Sequence, residues 1–288
     1  MADNPVGTDK VHFRGNASKK GEKSMKENRR FWACFLVAVA IFVSHTVVQA
    51  EDEVKPTAAM DLGIFSQYIW RGFELSRNSM VVQPSVTLAY DGLSFNVWGN
   101  LDTDRKTIAG DGSENSETKY TETDLTIAYA KDLGPVKLGG GLIYYGLDGL
   151  QDSQELYVSA TLNTILNPTL SIYREIGHLP AWYVNLGVSH SQEIAKKITL
   201  DLAASAGYYY SDDSDFSEIT DPETKYQTFH NGLISAGLTI PVGEYVSVKP
   251  MIAYSFPLSG TADDYITATS ISDDSSFVYG GVTLSAAF

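Results

Sequence analysis

Three histidines lie beyond residue 50, and their surroundings decide whether the chain could carry out hydrolytic chemistry: His178, His190 and His230. His190 precedes Ser191, but neighbouring residues of a strand point to opposite faces, so the imidazole and the hydroxyl would not meet. His230 has no serine two residues after it, and His178 has no neighbour that it could activate. These patterns disfavour a hydrolase, which stays the third hypothesis, and we predict no catalytic residue.

Carboxylates, the ligands that hard cations prefer, gather in three polar segments of the chain. Segments 102–119, 211–225 and 257–274 hold 15 Asp or Glu against 4 Lys or Arg. The run Asp-Asp-Ser-Asp at 212–215 suggests calcium, but no glycine follows where an EF-type loop needs one for its turn. We expect a solvated acidic surface that shares divalent ions with lipopolysaccharide. The alternative is that hard cations bind at one defined site. Our prediction itself includes no metal site and no cofactor.

A third group of polar and aromatic residues recurs at every second position of strand-like segments and would share one face. The group is Asp61, Gln67, Arg71, Gln83, Asn96, Trp98, Asn100, Glu122, Asp124, Glu155, Tyr157, Tyr183, Asn185, Asp201, Asn231 and Lys249. Charges on such an enclosed face must pair or meet water, because burying them alone is costly. Arg71 and Lys249 are the expected partners for the acids, with Asp102 or Asp124 meeting Arg71 according to the strand register.

Twelve strand-like segments would position these side chains, and most have the length of a tilted membrane-crossing strand. They are residues 58–71, 81–90, 93–101, 120–131, 136–146, 154–163, 169–176, 181–191, 198–210, 226–240, 245–256 and 275–288. Apolar and polar residues alternate along them, and no segment shows helical periodicity with caps. Ten strands remain possible if residues 169–176 and a neighbouring segment do not both span.

The connections between these segments alternate in length, with short turns at every second position and longer polar loops at most others. Aromatic residues gather at both ends of the segments, as lipid interfaces select. Both patterns predict an all-β protein with a single antiparallel transmembrane β-barrel of about 12 strands, formed by residues 51–288. The first and last strands should pair, because lipid cannot satisfy an open sheet edge. Both termini of the barrel should be periplasmic.

The N-terminal 50 residues have the pattern of an export signal. Charged residues 25–30 precede the apolar run 31–43, and Val48-Gln49-Ala50 ends the segment with a small residue. A run this short does not span a bilayer as a helix, so we predict a secretory signal peptide over 25–50, cleaved after Ala50. Residues 1–24 resemble an N-terminal extension arising from a misassigned translation start.

Composition excludes several functional classes. The chain carries a formal net charge of -14, which argues against nucleic-acid binding. Its one cysteine, Cys34, lies in the segment expected to be removed, which excludes disulfides and thiolate chemistry from the barrel. Only 43% of the residues are hydrophobic, too few for a bundle of spanning helices.

The last strand and three aromatic motifs resemble a known family. Residues 277–288 alternate strictly and end on Phe288, which resembles the terminal signal that the barrel-assembly machinery reads. Residues 66–72 (Ser-Gln-Tyr-Ile-Trp-Arg-Gly), 83–85 (Gln-Pro-Ser) and 98–100 (Trp-Gly-Asn) are similar to the TorF-type porins of bacterial outer membranes. The resemblance is densest over residues 60–101. It implies an outer-membrane barrel that forms a pore, and it supplies no functional residues.

The expected function is a narrow, passive outer-membrane channel for small hydrophilic solutes. An acidic lumen favours cations or neutral polar molecules, and Trp98 and Tyr157 could stack on sugar-like rings. The first alternative is a closed structural or surface-interaction barrel whose acidic loops meet a partner. Outer-membrane lipid, lipopolysaccharide, the assembly machinery and small polar solutes are the expected partners, with the oligomeric state open.

Overall fold

The computed structural model describes residues 54–108 and 114–288. The predicted signal peptide and the predicted N-terminal extension lie outside the described residues, and so does the cleavage after Ala50.

Twelve strands form one closed antiparallel barrel, and two short strands form a separate hairpin. In chain order the strands are β1 (Thr57–Phe65), β2 (Ile69–Trp70), β3 (Phe73–Glu74), β4 (Val81–Tyr90), β5 (Leu93–Ile108), β6 (Glu114–Asp132), β7 (Val136–Leu147), β8 (Ser153–Leu162), β9 (Thr169–Glu175), β10 (Ala181–Ala195), β11 (Ile198–Ser211), β12 (Gln227–Pro241), β13 (Val246–Pro257) and β14 (Phe277–Ala287). Helix α1 (Gly260–Thr269) precedes β14. The predicted fold class and the count of twelve barrel strands are confirmed.

The barrel closes between β1 and β14, as predicted. Their register runs from Ala59 opposite Ala287 to Phe65 opposite Gly281, and the backbones of Ala58 and Phe288 exchange two further hydrogen bonds. No wall strand therefore presents an open edge to lipid, which a membrane-embedded sheet requires.

The outward face is apolar. Leu88, Leu186, Ile234, Ile252 and Val278 are all more than half exposed. Aromatic side chains mark the end that carries the short turns, where Tyr90, Tyr129, Tyr245 and Phe288 are at least half exposed. A closed barrel with an apolar outer band and an aromatic girdle is stable only in lipid, so the protein resides in the bacterial outer membrane. Within residues 54–108 and 114–288, no helix has the length and hydropathy of a spanning segment.

Three expectations about the loops were wrong. The first strand ends at Phe65 rather than at residue 71, and the chain then leaves the wall. In the expected loop 102–119, the described residues 102–108 and 114–119 instead extend β5 and β6 beyond the barrel wall and pair with each other. A capped helix is present despite the absence of helical periodicity: the Ser259 side chain accepts a hydrogen bond from the Ala262 amide at the start of α1.

The burial of inward-facing residues differs between the two ends of the lumen. At the end that carries the long loops, the loop side, inward-facing Asn100, Tyr209 and Ser255 are buried. At the opposite end, the turn side, inward-facing Ser189 and Ala203 stay exposed. Because both sets belong to the same wall, something fills the loop-side half and leaves the turn-side half open.

Candidate functional site: an arginine held against the lumen wall

The loop-side lumen is filled by the segment between β1 and β4, residues 66–80, which we call the plug hairpin. Strands β2 and β3 pair within it, and Arg71 and Gly72 form its tip with φ of 50° and 90°. Two consecutive residues with positive φ are the geometry of a tight two-residue turn that favours glycine at its second position. A Cβ on Gly72 would lie 2.9 Å from Cβ of Asn231 on the wall, so the tip fits only without a side chain.

Four tyrosines form a continuous row across the facing wall. Tyr157, Tyr173, Tyr183 and Tyr209 lie directly opposite one another on β8, β9, β10 and β11. Successive ring centroids are 5.5, 6.0 and 4.7 Å apart, within the range of favourable aromatic pairs. We call this row the tyrosine ladder.

Arg71 reaches from the plug hairpin to this wall. Its two terminal nitrogens donate parallel hydrogen bonds of 2.7 Å to the two carboxylate oxygens of Glu155 on β8. The hydroxyl of Tyr145 on β7 donates a third hydrogen bond, of 2.8 Å, to Oε2 of Glu155. The side chains of Arg71 and Glu155 are 9% and 5% exposed, so this is a buried, bidentate ion pair of the strongest geometric class.

The guanidinium of Arg71 is also stacked among aromatic faces. Its central carbon lies 4.5 Å from the ring centroid of Tyr173 and 4.2 Å from that of Tyr183. Trp70, beside it on the hairpin, contributes a third ring at 4.4 Å. Such contacts strengthen when they are shielded from water, which is the case here.

Behind the arginine, Phe73 packs into a second aromatic cluster. Its ring lies 4.8 Å from the imidazole of His230 and 6.2 Å from the ring of Tyr209. Nδ1 of His230 is 2.6 Å from the hydroxyl of Tyr226, while its buried Nε2 has no hydrogen-bond partner among the described residues. An irregular register between β11 and β12 turns both His230 and Asn231 towards the lumen, as an extra residue in one strand does.

Helix α1 covers the plug hairpin from the loop side. Its buried Ala262 and Ile266 pack with Phe277 of β14 and with Ile69 of the hairpin. The amide of Ser272, just after the helix, donates a 2.8 Å hydrogen bond to Glu74 at the end of β3. The loop-side lumen is therefore closed by two layers, the hairpin and the helix.

The structure moves two of the predicted lumen residues off the barrel wall. Gln67 and Arg71 were placed on the first strand, but they belong to the plug hairpin. The expected partner of Arg71 was also wrong, since Arg71 meets Glu155 rather than Asp102 or Asp124. The expected assignment failed because it put Arg71 at the end of a wall strand, whereas the hairpin carries it across the lumen.

A polar group on β4, β5 and β6 lies at the same depth as the plug. Nε2 of Gln83 donates to Asn100 at 3.0 Å, and Nδ2 of Asn100 donates to Thr121 at 2.8 Å. The ring centroid of Trp98 lies 5.5 Å from that of Tyr68 of the hairpin. Glu122 and Asp124 share the inward face of β6, directly opposite Asn100 and Trp98.

The remaining predicted residues lie on the wall strands that the sequence assigned to them. Asn96 donates 2.8 Å hydrogen bonds to Ser85 and Thr87, and Asn231 accepts one of 2.9 Å from Tyr183. Asp201 accepts hydrogen bonds from Ser191 and Thr239, and Asp61 accepts one from Ser285. Asn185 and Lys249 lie on β10 and β13, and Lys249 makes no ion pair within the described chain.

Small residues line a cavity of about 170 Å³ in the open, turn-side half. Thr169, Gly187, Ser189, Ala203 and Ser205 form most of its wall. None was predicted as a lumen residue, because the expectation selected bulky polar side chains. The alternation along β9, β10 and β11 could have identified them.

Several residues of the arginine site also escaped prediction: Trp70, Phe73, Tyr145, Tyr173 and Tyr209. Each is an aromatic residue in a segment rich in tyrosine, where the pattern gives the face but not the partner. Aligning the strands in antiparallel register would have placed Tyr173 between Tyr157 and Tyr183.

The acidic loops make ion pairs on the surface. In the loop after β7, Asp148 accepts a 2.5 Å hydrogen bond from Arg105 and lies 3.6 Å from Lys119. The hydrogen bond from Arg105 holds the pKa of Asp148 below its usual value. No group of three or more metal-ligating side chains occurs in the part of the chain that the structure describes.

Comparisons with known proteins find similarity to solved structures of outer-membrane proteins. No protein-family model and no curated protein matches the chain. The NanC porin shares 10% identity over 80% of this chain and 98% of its own, with a TM-score of 0.49. The translocator domain of the autotransporter NalP from Neisseria meningitidis shares 11% identity over 92% of this chain and 97% of its own, with a TM-score of 0.41. An anion-selective porin from Comamonas acidovorans shares 12% identity over 83% of this chain and 100% of its own, with a TM-score of 0.34. Similarity at this level carries no argument about the fold or about solutes.

Proposed function

We propose that the protein is a gated, passive channel for small hydrophilic solutes, with the plug hairpin as its gate. One observation carries this proposal: the tip of a single hairpin, tied to the wall through Arg71 and Glu155, occupies the loop-side lumen. A barrel closed for purely structural reasons would interlock its own wall side chains. Here the obstruction is a segment whose backbone, among the described residues, bonds to the wall strands at its two ends, Ser66 and Met80.

The open turn-side half supports a role in passage. A wall of small residues there leaves space that bulky side chains would fill in a solid core. Solutes that enter from this side meet the underside of the hairpin. Displacing one segment would therefore connect the two ends of the lumen.

The charge of the lumen lining favours passage of cations and neutral polar solutes. The inward face carries Asp61, Glu122, Asp124 and Asp201 without a bound Arg or Lys among the described residues, whereas Glu155 is already neutralised by Arg71. An acidic lining concentrates cations and repels anions. Lys249 on β13 is the lumen cation that would moderate this preference.

Planar-bilayer recordings of the wild type and of Arg71→Ala test the gate. The variant should be open for a larger fraction of time, with a reversal potential that favours cations. Arg174→Ala is the matched control, because Arg174 pairs with Asp212 and lies 5.0 Å from the Trp182 ring, but on the outward face of the wall. Equal open fractions in the wild type and Arg71→Ala would contradict the gate.

The second candidate is a closed barrel whose acidic loops bind an external partner. The double closure by hairpin and helix favours it, since two layers are more than a readily opened gate needs. A folded protein that conducts in neither the wild type nor Arg71→Ala would support this function. Shared divalent ions with lipopolysaccharide would then be the first interaction to measure.

We further propose that the barrel is not an enzyme. Nδ1 of His230 faces a tyrosine hydroxyl, and no serine or threonine hydroxyl contacts this imidazole in the described chain. His230→Ala should leave esterase and phospholipase assays at the background level of the wild type. Activity in the wild type that the substitution abolishes would contradict this proposal.

A further inference from the structure

We propose that the wall around Glu155 is a recognition site for solutes that carry a guanidinium or a primary amine, and that the protein's own Arg71 occupies it in the closed state. The inference rests on the proposed function, because it names the solute class and the signal that opens the gate. The site consists of Glu155, Tyr145, Tyr173, Tyr183 and Tyr209.

The site belongs to the wall and does not need the plug hairpin to form. Its five residues lie on the consecutive strands β7 to β11, whose backbone pairing fixes their positions. The hydroxyl of Tyr145 orients the carboxylate of Glu155, and ring contacts along the tyrosine ladder hold the aromatic faces. Withdrawal of the hairpin would leave this arrangement in place with its acid uncompensated.

The chemistry of the site is complementary to a planar cation. Glu155 accepts two parallel hydrogen bonds from the guanidinium edge, and the rings of Tyr173 and Tyr183 approach the guanidinium carbon within 4.5 Å. A guanidinium satisfies both contacts together, whereas an ammonium offers a point charge without the bidentate edge. Guanidinium solutes should therefore bind more tightly than alkylammonium solutes of the same size.

Arg71 behaves as a tethered competitor of such a solute. The Arg71 guanidinium makes three hydrogen bonds to the wall, two of 2.7 Å to Glu155 and one of 3.5 Å to the Tyr209 hydroxyl. A solute that replaces it removes those bonds and weakens the attachment of the tip, leaving the packing of Phe73 against His230 and Tyr209 to hold it. Because a tethered group acts at an effective concentration in the millimolar range, free solute must reach about that range to compete.

Chemical rescue of Arg71→Ala by methylguanidinium tests the site. The folded variant, with an empty site, should melt at a lower temperature than the wild type, and millimolar methylguanidinium should raise its melting temperature saturably. Methylammonium should act at least about tenfold more weakly, a difference of 1.4 kcal/mol. Sodium chloride and urea at the same concentrations control for ionic strength and for the neutral isostere.

The double variant Arg71→Ala/Glu155→Gln provides the matched control, because it keeps the cavity and removes the charge. It should gain no stability from methylguanidinium. If Arg71→Ala does not fold, Arg71→Gly, which suits the positive φ of 50° at this position and also leaves the site empty, replaces it in the same titration. A folded single variant with no saturable response, or a double variant with an equal response, would overturn the site.

The outcome separates this inference from the channel proposal. Stabilisation by methylguanidinium without conductance in any variant would retain the site and overturn the channel. Conductance that increases in Arg71→Ala without any methylguanidinium response would retain the gate and overturn the recognition site. If both hold, methylguanidinium should also block the current of Arg71→Ala from the turn side.

Discussion

Arg71 and Glu155 are 84 residues apart in the sequence, yet their side chains make two parallel 2.7 Å hydrogen bonds inside the barrel. The pair joins a segment that is not a strand of the wall to a strand that is. It is therefore the point at which closure of the lumen can be altered with the least disturbance to the barrel.

Replacing Glu155 with Gln should destabilise the closed state. The substitution keeps the shape of the side chain but leaves the buried guanidinium of Arg71 without a countercharge, and breaking a buried pair in this way costs about 3–5 kcal/mol. Urea unfolding of the refolded barrel, followed by tryptophan fluorescence, measures the change.

Asp212→Asn is the control for that experiment, since it breaks the exposed pair with Arg174. Exposed pairs contribute about 0–1 kcal/mol, so its unfolding midpoint should hardly move. Equal shifts for the two variants would mean that Arg71 and Glu155 are solvated in the membrane-embedded protein.

Gly72→Ala should drive the hairpin tip from the wall. Its φ of 90° disfavours any side chain, and the new Cβ would lie 2.9 Å from Asn231 Cβ. Greater protease sensitivity of residues 66–80 and a larger open fraction should follow. Gly134→Ala is the matched control. Its φ of 85° imposes a similar backbone strain on the alanine, but nothing lies within 4 Å of the new Cβ. The account is contradicted if both variants behave alike.

The strands were predictable because lipid outside and a polar lumen inside impose opposite requirements on alternate residues. Residues 66–71 misled the prediction, since Ser-Gln-Tyr-Ile-Trp-Arg continues the alternation of β1 without belonging to the wall. Periodicity records which face a side chain occupies and not whether the strand stays paired. The pairing of Arg71 with Glu155 depends on this departure from the wall, so local sequence could not specify it.

Helix α1 escaped prediction for a different reason. Only Ala262 and Ile266 on it are buried, which leaves too short an apolar stripe to show as helical periodicity. Its cap, Ser259, resembles any loop serine until the contact with the plug hairpin supplies the apolar surface that the helix covers.

The contacts of Asp148 with Arg105 and Lys119 should depend on pH in a direction set by the lowered pKa of Asp148. A depressed carboxylate pKa contributes stability above the unfolded-state value, and this contribution is lost as pH falls through the folded-state value. Contact of Asp148 with Arg105 and Lys119 should therefore persist at pH 5 and weaken in more acidic solution. Hydrogen exchange of residues 102–108 and 114–119 measures this.

Asp148→Asn should abolish that acid dependence, and Asp221→Asn in the loop after β11 should preserve it. Acid dependence that survives Asp148→Asn would assign it to another carboxylate of the loops.

The most direct test of a hairpin-gated lumen is the single-channel current of a variant in which residues 69–74 are replaced by two glycines. We predict long-lived discrete openings with cation-favouring reversal potentials in a potassium chloride gradient, where the wild type opens rarely. A correctly folded, heat-modifiable variant that passes no current would contradict the account, because the barrel would then remain closed without its plug.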